Sequence, residues 1–347
     1  MAKLKKENFY LFMQSVPKAE LHIHIEAVIT LESICRLYEK RFGKKMTKAE
    51  QTALFTYEDL NGFIKAFLQV QDLFTEVSDF DYVFDDFERY LKGNGITRCE
   101  AFFAPSAFVK KGFDYGEMVK NFTKNINRIK KDSGIDIKLL VDVSRTFGLE
   151  NAMTNYQLMK SHPSSCIIGI GLGGAEQKGP CKEFGPVFEK AFKDGFHAVA
   201  HAGEDVGPES VWDAINVLHS ERIGHGITSI QDEKLVEYLA QKQIPLEVCP
   251  TSNTFTKKVV SKIEDHPIRA FFDKGVLVTV NTDDPVFFKV TLLDEFWSLH
   301  KQAGFSLDQI KVLLENSFKA SFLTDAQKKK FLKELDAAWE EGIKKYS

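Results

Sequence analysis

Three short segments of the chain combine imidazole and carboxylate side chains in patterns that could hold a catalytic metal ion. They are HIH at residues 22–24, HAGE at 201–204 and NTDDP at 281–285. Each follows an apolar, strand-like run. If those strands are parallel neighbours, their C-terminal ends meet at one edge, and distant parts of the chain would together form a hydrolytic metal site.

The spacing of these residues suits a single ion. His22 and His24 stand two residues apart on a strand, so both side chains point to the same face. His201 ends the fifth apolar run and Asp283 follows the eighth, which would bring all four residues to one rim. Three imidazoles and one carboxylate fit Zn²⁺ with an open position for water. The fourth run, CIIGI at 166–170, offers no lysine to bridge a second ion, so we expect one zinc ion per chain.

Two further residues could act in catalysis at the same rim. Glu204 lies three residues after His201, where a carboxyl group could serve as general acid or base. The alternative role of Glu204 is a cap on the helix that begins near Gly207. His225 ends the sixth apolar run. We interpret Glu204 and His225 as catalytic residues, and Asp283 as both catalytic and metal-binding.

The elements that must position these residues follow from the hydrophobic pattern. Eight short apolar runs are centred near residues 22, 100, 140, 168, 199, 223, 247 and 279, and most are separated by helical patterns. The first and third runs cover 19–25 and 137–143, and amphipathic helices are predicted over 113–132 and 232–243. Alternating strands and helices predict an α/β fold, the (β/α)8 TIM barrel.

The chain is long enough for such a barrel with additions. At 347 residues and 44% hydrophobic content, one large core and a single domain over residues 1–347 are expected. A helical insertion over about 40–92 leaves the C-terminal face of strand one and could cover the barrel mouth as a lid. Its alternative role is additional core packing. Two further helices are predicted over about 306–347.

Composition argues against several classes of protein. The formal net charge is −3, with acidic and basic residues mixed throughout, which leaves no basic stripe for nucleic acid. No segment approaches the roughly 18 apolar residues needed to cross a bilayer, so we expect no membrane association and a cytoplasmic location. The five cysteines are scattered and indicate neither a disulfide framework nor a cysteine-based zinc site.

Other motif matches fail on context. The segment GIGLGG at 169–174 satisfies the dinucleotide-binding pattern, but QKGP at 177–180 stands where a helix should open directly. The segment HIE at 24–26 resembles cytidine-type zinc deaminases, whose accompanying P-C-x-x-C is absent from the sequence. The remaining histidines are assigned no function; they are His162, His197, His219, His266 and His300.

Five segments together resemble the signature segments of the adenosine/adenine deaminase family. They are PKAELHIH at 17–24, HAGE at 201–204, RIGHG at 222–226, CPTSN at 249–253 and VNTDDP at 280–285. They follow the family's order and spacing and cover nearly the whole chain. The resemblance implies a metal-dependent amidohydrolase-type barrel that removes the C6 amino group of an adenine-containing purine by hydrolysis.

The resemblance also implies individual roles. Zinc would be held by His22, His24, His201 and Asp283. Glu204 would protonate the ring nitrogen beside the attacked carbon, and His225 would orient and help activate the water. Asp284 and the backbone of Gly174 would form hydrogen bonds to the purine.

The sequence leaves the substrate open. Glu26 stands where adenosine deaminases usually have an aspartate, and this resembles the adenine-specific branch. Against that, GGAE at 173–176 and TLLDE at 291–295 are closer to the nucleoside enzymes, as is LNGFIKAF at 60–67, whose Phe63 and Phe67 would flank a sugar. We therefore expect adenosine or a 5'-modified adenosine, with adenine as the alternative. An alternative of another class is a barrel that binds a purine without turning it over, and the oligomeric state stays open.

Overall fold

A computed structural model describes residues 5–58, 60–256 and 259–346 of the chain. Eight parallel strands form one sheet in sequence order, each pairing with the next. The strands are β1 (Lys18–Glu20), β2 (Ile96–Phe103), β3 (Asp136–Asp142), β4 (Ile167–Leu172), β5 (His197–Ala202), β6 (Arg222–His225), β7 (Leu246–Val248) and β8 (Val278–Val280). Each of the eight predicted runs contains a strand, and the predicted (β/α)8 barrel is confirmed.

The barrel closes between its first and last strands just beyond their assigned ends. Ile23 and Asp283 form a parallel bridge. The His24 amide donates to the Asp283 carbonyl at 3.0 Å, and the Asp283 amide donates to the His22 carbonyl at 3.1 Å. The predicted continuous strand over 19–25 is therefore interrupted after Glu20. The interruption is caused by a contact with the segment after β8, because the Asn281 side chain accepts the amides of Leu21 and His22 at 2.9 and 3.1 Å.

Helices surround the strands and fill the long connections. Those before β4 are α1 (Lys6–Ser15), α2 (Leu31–Phe42), α3 (Lys48–Leu54), α4 (Leu60–Gln71), α5 (Phe80–Asn94), α6 (Ser106–Lys110), α7 (Tyr115–Ser133) and α8 (Gly148–Ser161). Those after β4 are α9 (Gly185–Lys193), α10 (Pro208–Asn216), α11 (Glu233–Lys242), α12 (Pro250–Thr256), α13 (Ile268–Asp273), α14 (Pro285–Phe288), α15 (Leu292–Lys301), α16 (Leu307–Ala320) and α17 (Asp325–Tyr346).

Helix boundaries follow local capping chemistry. The Asp114 side chain accepts the amide of Glu117 at the start of α7, and Gly134 ends that helix in the left-handed conformation with φ 72°. Asp232 caps α11 in the same way, and Gln243 ends it with φ 53°. The predicted helices over 113–132 and 232–243 therefore exist, with ends shifted by at most two residues to the capping positions.

The insertion between β1 and β2 contains both extra helices and one helix of the surrounding ring. Helices α2, α3 and α4 are additional to the barrel, whereas α5 packs against β2 and α7 as a ring helix does. The additional helices lie against the segment that follows β8. The Tyr57 hydroxyl donates to the Phe287 carbonyl. The Phe63 ring stacks on Phe288 with centroids 5.1 Å apart.

A charged layer and an apolar layer fill the barrel interior. Phe102, Leu140 and Val199 form a small buried cluster inside the strands. Below them the buried Arg222 guanidinium donates to Glu100 and Glu247. Helix α16 packs on β8 and β1, and α17 packs on α16 and α1, so the two C-terminal helices belong to the outer layer of the barrel. Within the described ranges, the structure contains no helix that combines the length and apolarity needed to span a membrane.

Candidate active site

The five residues predicted for metal binding and catalysis at the strand ends converge at the C-terminal end of the barrel. His22 and His24 follow β1, His201 lies at the end of β5, His225 ends β6, and Asp283 follows β8. His22, His201, His225 and Asp283 are buried, and the His24 side chain is 13% exposed. Active sites of this fold lie at this end. The predicted convergence is therefore found in the structure.

The possible ligand atoms form a compact cluster. The Nε2 atoms of His22 and His24 lie 3.5 and 3.3 Å from Asp283 Oδ1. His24 Nε2 is 3.2 Å from His201 Nε2. Two overlapping groups have all their ligand atoms within 4.8 Å of one another; they are His22, His201, His225 and Asp283, and His24, Asp283 and Asp284. Imidazole nitrogens and a carboxylate oxygen are zinc ligands, so the donor set fits Zn²⁺.

The orientation of His22 is fixed from behind by a carboxylate. His22 Nδ1 lies 2.9 Å from Oε2 of Glu247, and both side chains are fully buried. Because a carboxylate oxygen accepts, His22 Nδ1 carries the proton of this hydrogen bond, and Nε2 is the nitrogen that faces the cluster. His22 Nε2 is buried and has no aligned hydrogen-bond partner in the described parts of the chain. An orphaned, correctly oriented imidazole nitrogen is what a metal ligand requires.

Asp283 is held in place by its neighbours at some conformational cost. The Ser252 hydroxyl donates to Asp283 Oδ2 at 2.8 Å, which leaves Oδ1 for the imidazoles. Asp283 has φ 65° and His225 has φ 61°, a left-handed conformation that non-glycine residues rarely adopt. Such strain costs on the order of 1–3 kcal/mol per residue and clusters at functional sites.

The negative charge of Asp283 and the protonation of His22 and His24 stabilise one another. Burial opposes protonation of His22 and His24, but their contacts with Asp283 outweigh it and raise the pKa values to about 9 and about 10. Burial likewise opposes ionisation of Asp283, yet the two imidazoles hold its pKa well below the usual range. The Asp283 carboxylate therefore demands positive charge beside it, which a divalent cation can supply in place of protons.

Glu204 is positioned by a second buried glutamate. The carboxylate of Glu176 accepts the amides of Gly203, Glu204 and Asp205 at 2.8, 2.8 and 3.0 Å and the Ser210 hydroxyl at 2.6 Å. These bonds fix the turn after β5 and aim the Glu204 side chain into the site. The alternative role as a helix cap is wrong, because α10 begins after a glycine and has no side-chain cap.

The environment of Glu204 disfavours ionisation of its carboxyl group. Burial, followed by the charges of Asp283 and Glu176, raises the pKa of Glu204 well above its ordinary value. Its Oε2 lies 3.7 Å from His225 Nε2. Burial lowers the pKa of His225 to about 3, so this imidazole is neutral. The site thus places the Glu204 carboxyl group, with its raised pKa, beside a neutral imidazole at the edge of the ligand cluster.

The residues predicted to bind substrate lie around the same mouth. Glu26 Oε1 accepts the Ala104 amide at 2.8 Å, while its Oε2 is buried without a hydrogen-bond partner among the described residues. Burial raises the pKa of Glu26 to about 7 and that of Asp284 well above its ordinary value. Gly174 is exposed and has φ 92°. Substrate contacts of these residues remain predictions.

The two predicted lid aromatics pack on the insertion side of the mouth. The Phe63 and Phe67 ring centroids lie 5.9 Å apart. Both rings approach Phe287, which follows Asp284 by three residues, at 5.7 and 5.4 Å. A sugar-flanking role for Phe63 and Phe67 likewise remains a prediction.

Comparison with known proteins identifies the family. The family model described as adenosine deaminase matches residues 17–338. The chain belongs to the adenosine deaminase family. Family membership confirms the predicted class of enzyme, a metal-dependent aminohydrolase.

Named members of the adenosine deaminase family match almost the whole chain. The adenine deaminase of Crocosphaera subtropica is 35% identical over 319 residues, which cover 91% of this chain and 97% of that protein. The aminodeoxyfutalosine deaminase of Streptomyces avermitilis is 34% identical over 340 residues, which cover 96% and 94% respectively.

Solved structures agree with the adenosine deaminase fold. The crystal structure of adenine deaminase from Arthrobacter aurescens has a TM-score of 0.88 and 30% identity, and the match covers 94% of this chain and 99% of that one. A zinc-bound amidohydrolase from Burkholderia ambifaria has a TM-score of 0.90 at 22% identity, covering 99% and 96%, and supports the fold alone.

Several polar residues of this site were not selected from the sequence. Glu247 binds His22, Glu176 fixes the Glu204 turn, and Asn253 contacts His225. Asp142 is a buried carboxylate at the end of β3 whose Oδ1 has no hydrogen-bond partner in the described chain. His201 was selected because it lies at the C-terminal end of a predicted strand. Asp142 has the same position on β3, so the same criterion could have identified it.

Proposed function

We propose that this chain catalyses hydrolytic deamination at C6 of an adenine-containing base or nucleoside, giving the 6-oxo purine and ammonia. One observation carries the proposal: the Glu204 carboxyl group, whose pKa is raised by burial, lies 3.7 Å from His225 Nε2 at the edge of the ligand cluster. A raised pKa allows a carboxyl group to act as a general acid towards a purine ring nitrogen near neutral pH. The family and its named deaminases support the same reaction.

The proposed cofactor is one Zn²⁺ ion per chain, held by His22, His24, His201 and Asp283. When bound, zinc would lower the pKa of a water molecule from 15.7 to about 7 and so provide hydroxide at neutral pH. Glu247 would keep His22 in the binding tautomer, and Ser252 would keep Asp283 oriented. The low pKa of Asp283 supports its proposed double role, because a carboxylate can hold the cation and accept a hydrogen bond from the attacking water.

In the proposed reaction Glu204 carries protons between the attacking water and the purine. Glu204 donates its proton to purine N1 as the oxygen adds to C6. The adduct then collapses, and the C6 amino group leaves as ammonia after taking one further proton. The water oxygen therefore becomes the 6-oxo oxygen. One water proton, released as the oxygen becomes nucleophilic, would restore the acid form of Glu204, and the other would leave in ammonia, so that N1 and ammonia each gain one hydrogen overall. Asp284 and the Gly174 amide would orient the purine during these steps.

A nucleoside altered at the 5' position is the first substrate candidate. One of the similar proteins is an aminodeoxyfutalosine deaminase, and that compound is a 5'-modified adenosine analogue. Two buried carboxyl groups at the mouth, Glu26 and Asp142, offer a phosphate no positive charge to pair with. The aromatic rings of Phe63 and Phe67 could lie beside a sugar. These features favour an uncharged or differently substituted 5' end.

Adenine is the second candidate, and Glu26 supports it. The buried Glu26 Oε2 needs a hydrogen-bond donor, and the N9–H of the free base would provide one in the absence of a ribose. Adenine deaminases are among the similar proteins, at 35% identity in one case. Ammonia release from adenine, adenosine and a 5'-modified adenosine, measured in parallel, distinguishes the candidates.

The variant Glu204→Gln tests the proposed chemistry. Glutamine keeps the shape of the side chain but cannot give up a proton to N1, so kcat should fall by about 10²-fold or more while zinc content stays the same. The exposed Glu209, five residues further along, provides the matched control Glu209→Gln, which should keep full activity. Unchanged turnover in Glu204→Gln would contradict the proposed role.

A barrel that binds a purine without turning it over is the alternative from another class. The complete set of ligands, acid and imidazole argues against it, because a binding protein has no need of a carboxyl group with a raised pKa beside the ligand cluster. Purine binding without ammonia release from any of the three substrates would favour this alternative. We also propose a cytoplasmic location, which the five free cysteines, four of them buried, support.

A further inference from the structure

A chain of three hydrogen bonds leads from a backbone amide to His225. The amide of Ile268 donates to Nδ1 of His266 at 3.1 Å. His266 Nε2 lies 3.2 Å from Oδ1 of Asn253, and Asn253 Nδ2 lies 3.1 Å from Nδ1 of His225. All three side chains are buried, so each polar atom depends on these partners.

The donor and acceptor of each hydrogen bond in this series follow from the first donor, the Ile268 amide. A backbone amide can only donate, so His266 Nδ1 carries no proton and His266 Nε2 carries one. That N–H donates to Asn253 Oδ1, which places the Asn253 amino group opposite His225. An amino group also only donates, so His225 Nδ1 accepts and carries no proton. Rotating the Asn253 amide by 180° would set two donors against each other at His266.

The protonation of His225, the last member of this series of hydrogen bonds, is therefore defined. A neutral imidazole holds one proton, so His225 carries its proton on Nε2, the nitrogen that lies 3.7 Å from Glu204 Oε2 and faces the ligand cluster. Burial lowers the pKa of His266 to about 3, in agreement with a neutral ring that accepts at Nδ1. The sequence analysis assigned His266 no function, because its role appears only in this contact.

We infer that Asn253 and His266 are positioning residues that fix His225 as a hydrogen-bond donor at Nε2. In this tautomer His225 cannot be a metal ligand, which leaves His24 as the third imidazole of the site. It also cannot take a proton from water at Nε2, because that nitrogen already holds one. Resting on the proposed function, the inference assigns His225 the task of donating to the oxygen that adds to C6 and stabilising its charge.

The first test reads the tautomer without measuring activity. Zinc-loaded protein with ¹⁵N-labelled histidine rings is studied by long-range ¹H–¹⁵N correlation, and the His225 signals are assigned by their loss in His225→Gln. The expected wild-type pattern is a protonated Nε2 and a bare Nδ1. In Asn253→Asp the carboxylate can only accept, so Nδ1 of His225 should become protonated. A bare Nε2 in the wild type, or an unchanged pattern in Asn253→Asp, overturns the inference.

The second test separates hydrogen bonding from packing. His266→Gln can still accept from Ile268 and donate to Asn253, whereas His266→Phe can do neither. We expect His266→Phe to lower kcat about tenfold or more with little change in KM or zinc content, and His266→Gln to retain most activity. His300→Phe, which alters a distant half-buried histidine, is the control. Equal losses in the two His266 variants, or no loss in His266→Phe, would overturn the role.

The two tests distinguish failure of this inference from failure of the proposed function. If no purine is turned over but the tautomer pattern is as expected, the proposed reaction is wrong and the hydrogen-bond chain stands. If turnover is found but His225 shows a bare Nε2, the reaction stands and the inference is wrong. Thermal melting of each variant identifies any that fails to fold. If His266→Phe or His225→Gln does not fold, the ring signals of Asn253→Asp and the activity of His266→Gln still test the inference.

Discussion

Glu247 Oε2 lies 2.9 Å from His22 Nδ1, although 225 positions separate the two residues in the chain. The other oxygen of Glu247 accepts from Arg222 Nε at 2.5 Å. The carboxylate therefore joins the ligand cluster at the C-terminal end of the barrel to the charged layer beneath it. Carboxylate partners of ligating histidines fix the ring and increase its basicity.

Replacing Glu247 by glutamine should weaken zinc binding. The amide oxygen of Glu247→Gln can still accept from His22 Nδ1, but the negative charge that supports the imidazole is lost. We expect zinc affinity to fall about 10- to 100-fold, measured by competition with a chelator. Glu100→Gln is the matched control, because Glu100 also binds Arg222 and does not contact His22. Equal losses of affinity in both variants would assign the effect to Arg222 instead.

The turn that carries Glu204 should depend on Glu176. Its carboxylate accepts three consecutive amides, and the amide oxygen of Glu176→Gln cannot satisfy all of them together with the Ser210 hydroxyl. We expect a loss of about 1–3 kcal/mol in the free energy of unfolding, measured by urea denaturation. Activity should fall because Glu204 loses its fixed position, while zinc content is retained. A variant with wild-type stability and turnover would contradict this role of Glu176.

The sequence was sufficient to predict the strands and the residues at their ends. Apolar runs bounded by helical patterns place a side chain such as His201 or Asp283 at the barrel rim without any knowledge of packing. Interruption of the first strand after Glu20 was not predictable, because it depends on the Asn281 side chain reaching across from β8. Local periodicity contains no information about such a distant contact.

The supporting residues were harder to predict for the same reason. Glu247 stands between Leu246 and Val248 in a short buried strand, and a charge there is a signal that a partner exists. The signal does not say which partner. Asn253 belongs to a segment that resembles the family, yet its link to His266 depends on a loop conformation. Predicting these contacts requires the three-dimensional fold.

The space for Asp142 depends on a glycine. A Cβ atom added at Gly173 would lie 2.2 Å from Asp142 Oδ2, so Gly173→Ala must displace that buried carboxylate. We expect kcat/KM to fall about tenfold, with zinc content unchanged, because the displaced group lines the mouth. Gly93→Ala is the control: it lies in α5 with no atom within 4 Å of an added Cβ. Since alanine is the better helix former, this control should gain about 0.5–1 kcal/mol of stability and keep its activity.

Lys18 should make the stability of the protein depend on pH in the weakly alkaline range. The Lys18 side chain is fully buried, and its ammonium group donates to the carbonyls of Met13 and Val16. Burial lowers the pKa of Lys18 to about 7, whereas an unfolded lysine titrates near 10.4. Between these values the unfolded chain binds a proton that the native protein does not. The native state is therefore favoured as pH rises and loses stability as pH falls towards 7.

Comparison with Lys18→Met isolates this contribution. Urea unfolding of both proteins at pH 7, 8 and 9 should show that the wild type gains stability relative to the variant by up to about 1.4 kcal/mol per pH unit. The gain should level off below pH 7, because both native and unfolded Lys18 are then protonated. The variant loses the two hydrogen bonds at every pH, so its overall stability is not the readout. A difference that stays constant from pH 7 to 9 would show that buried Lys18 keeps its proton in the native protein.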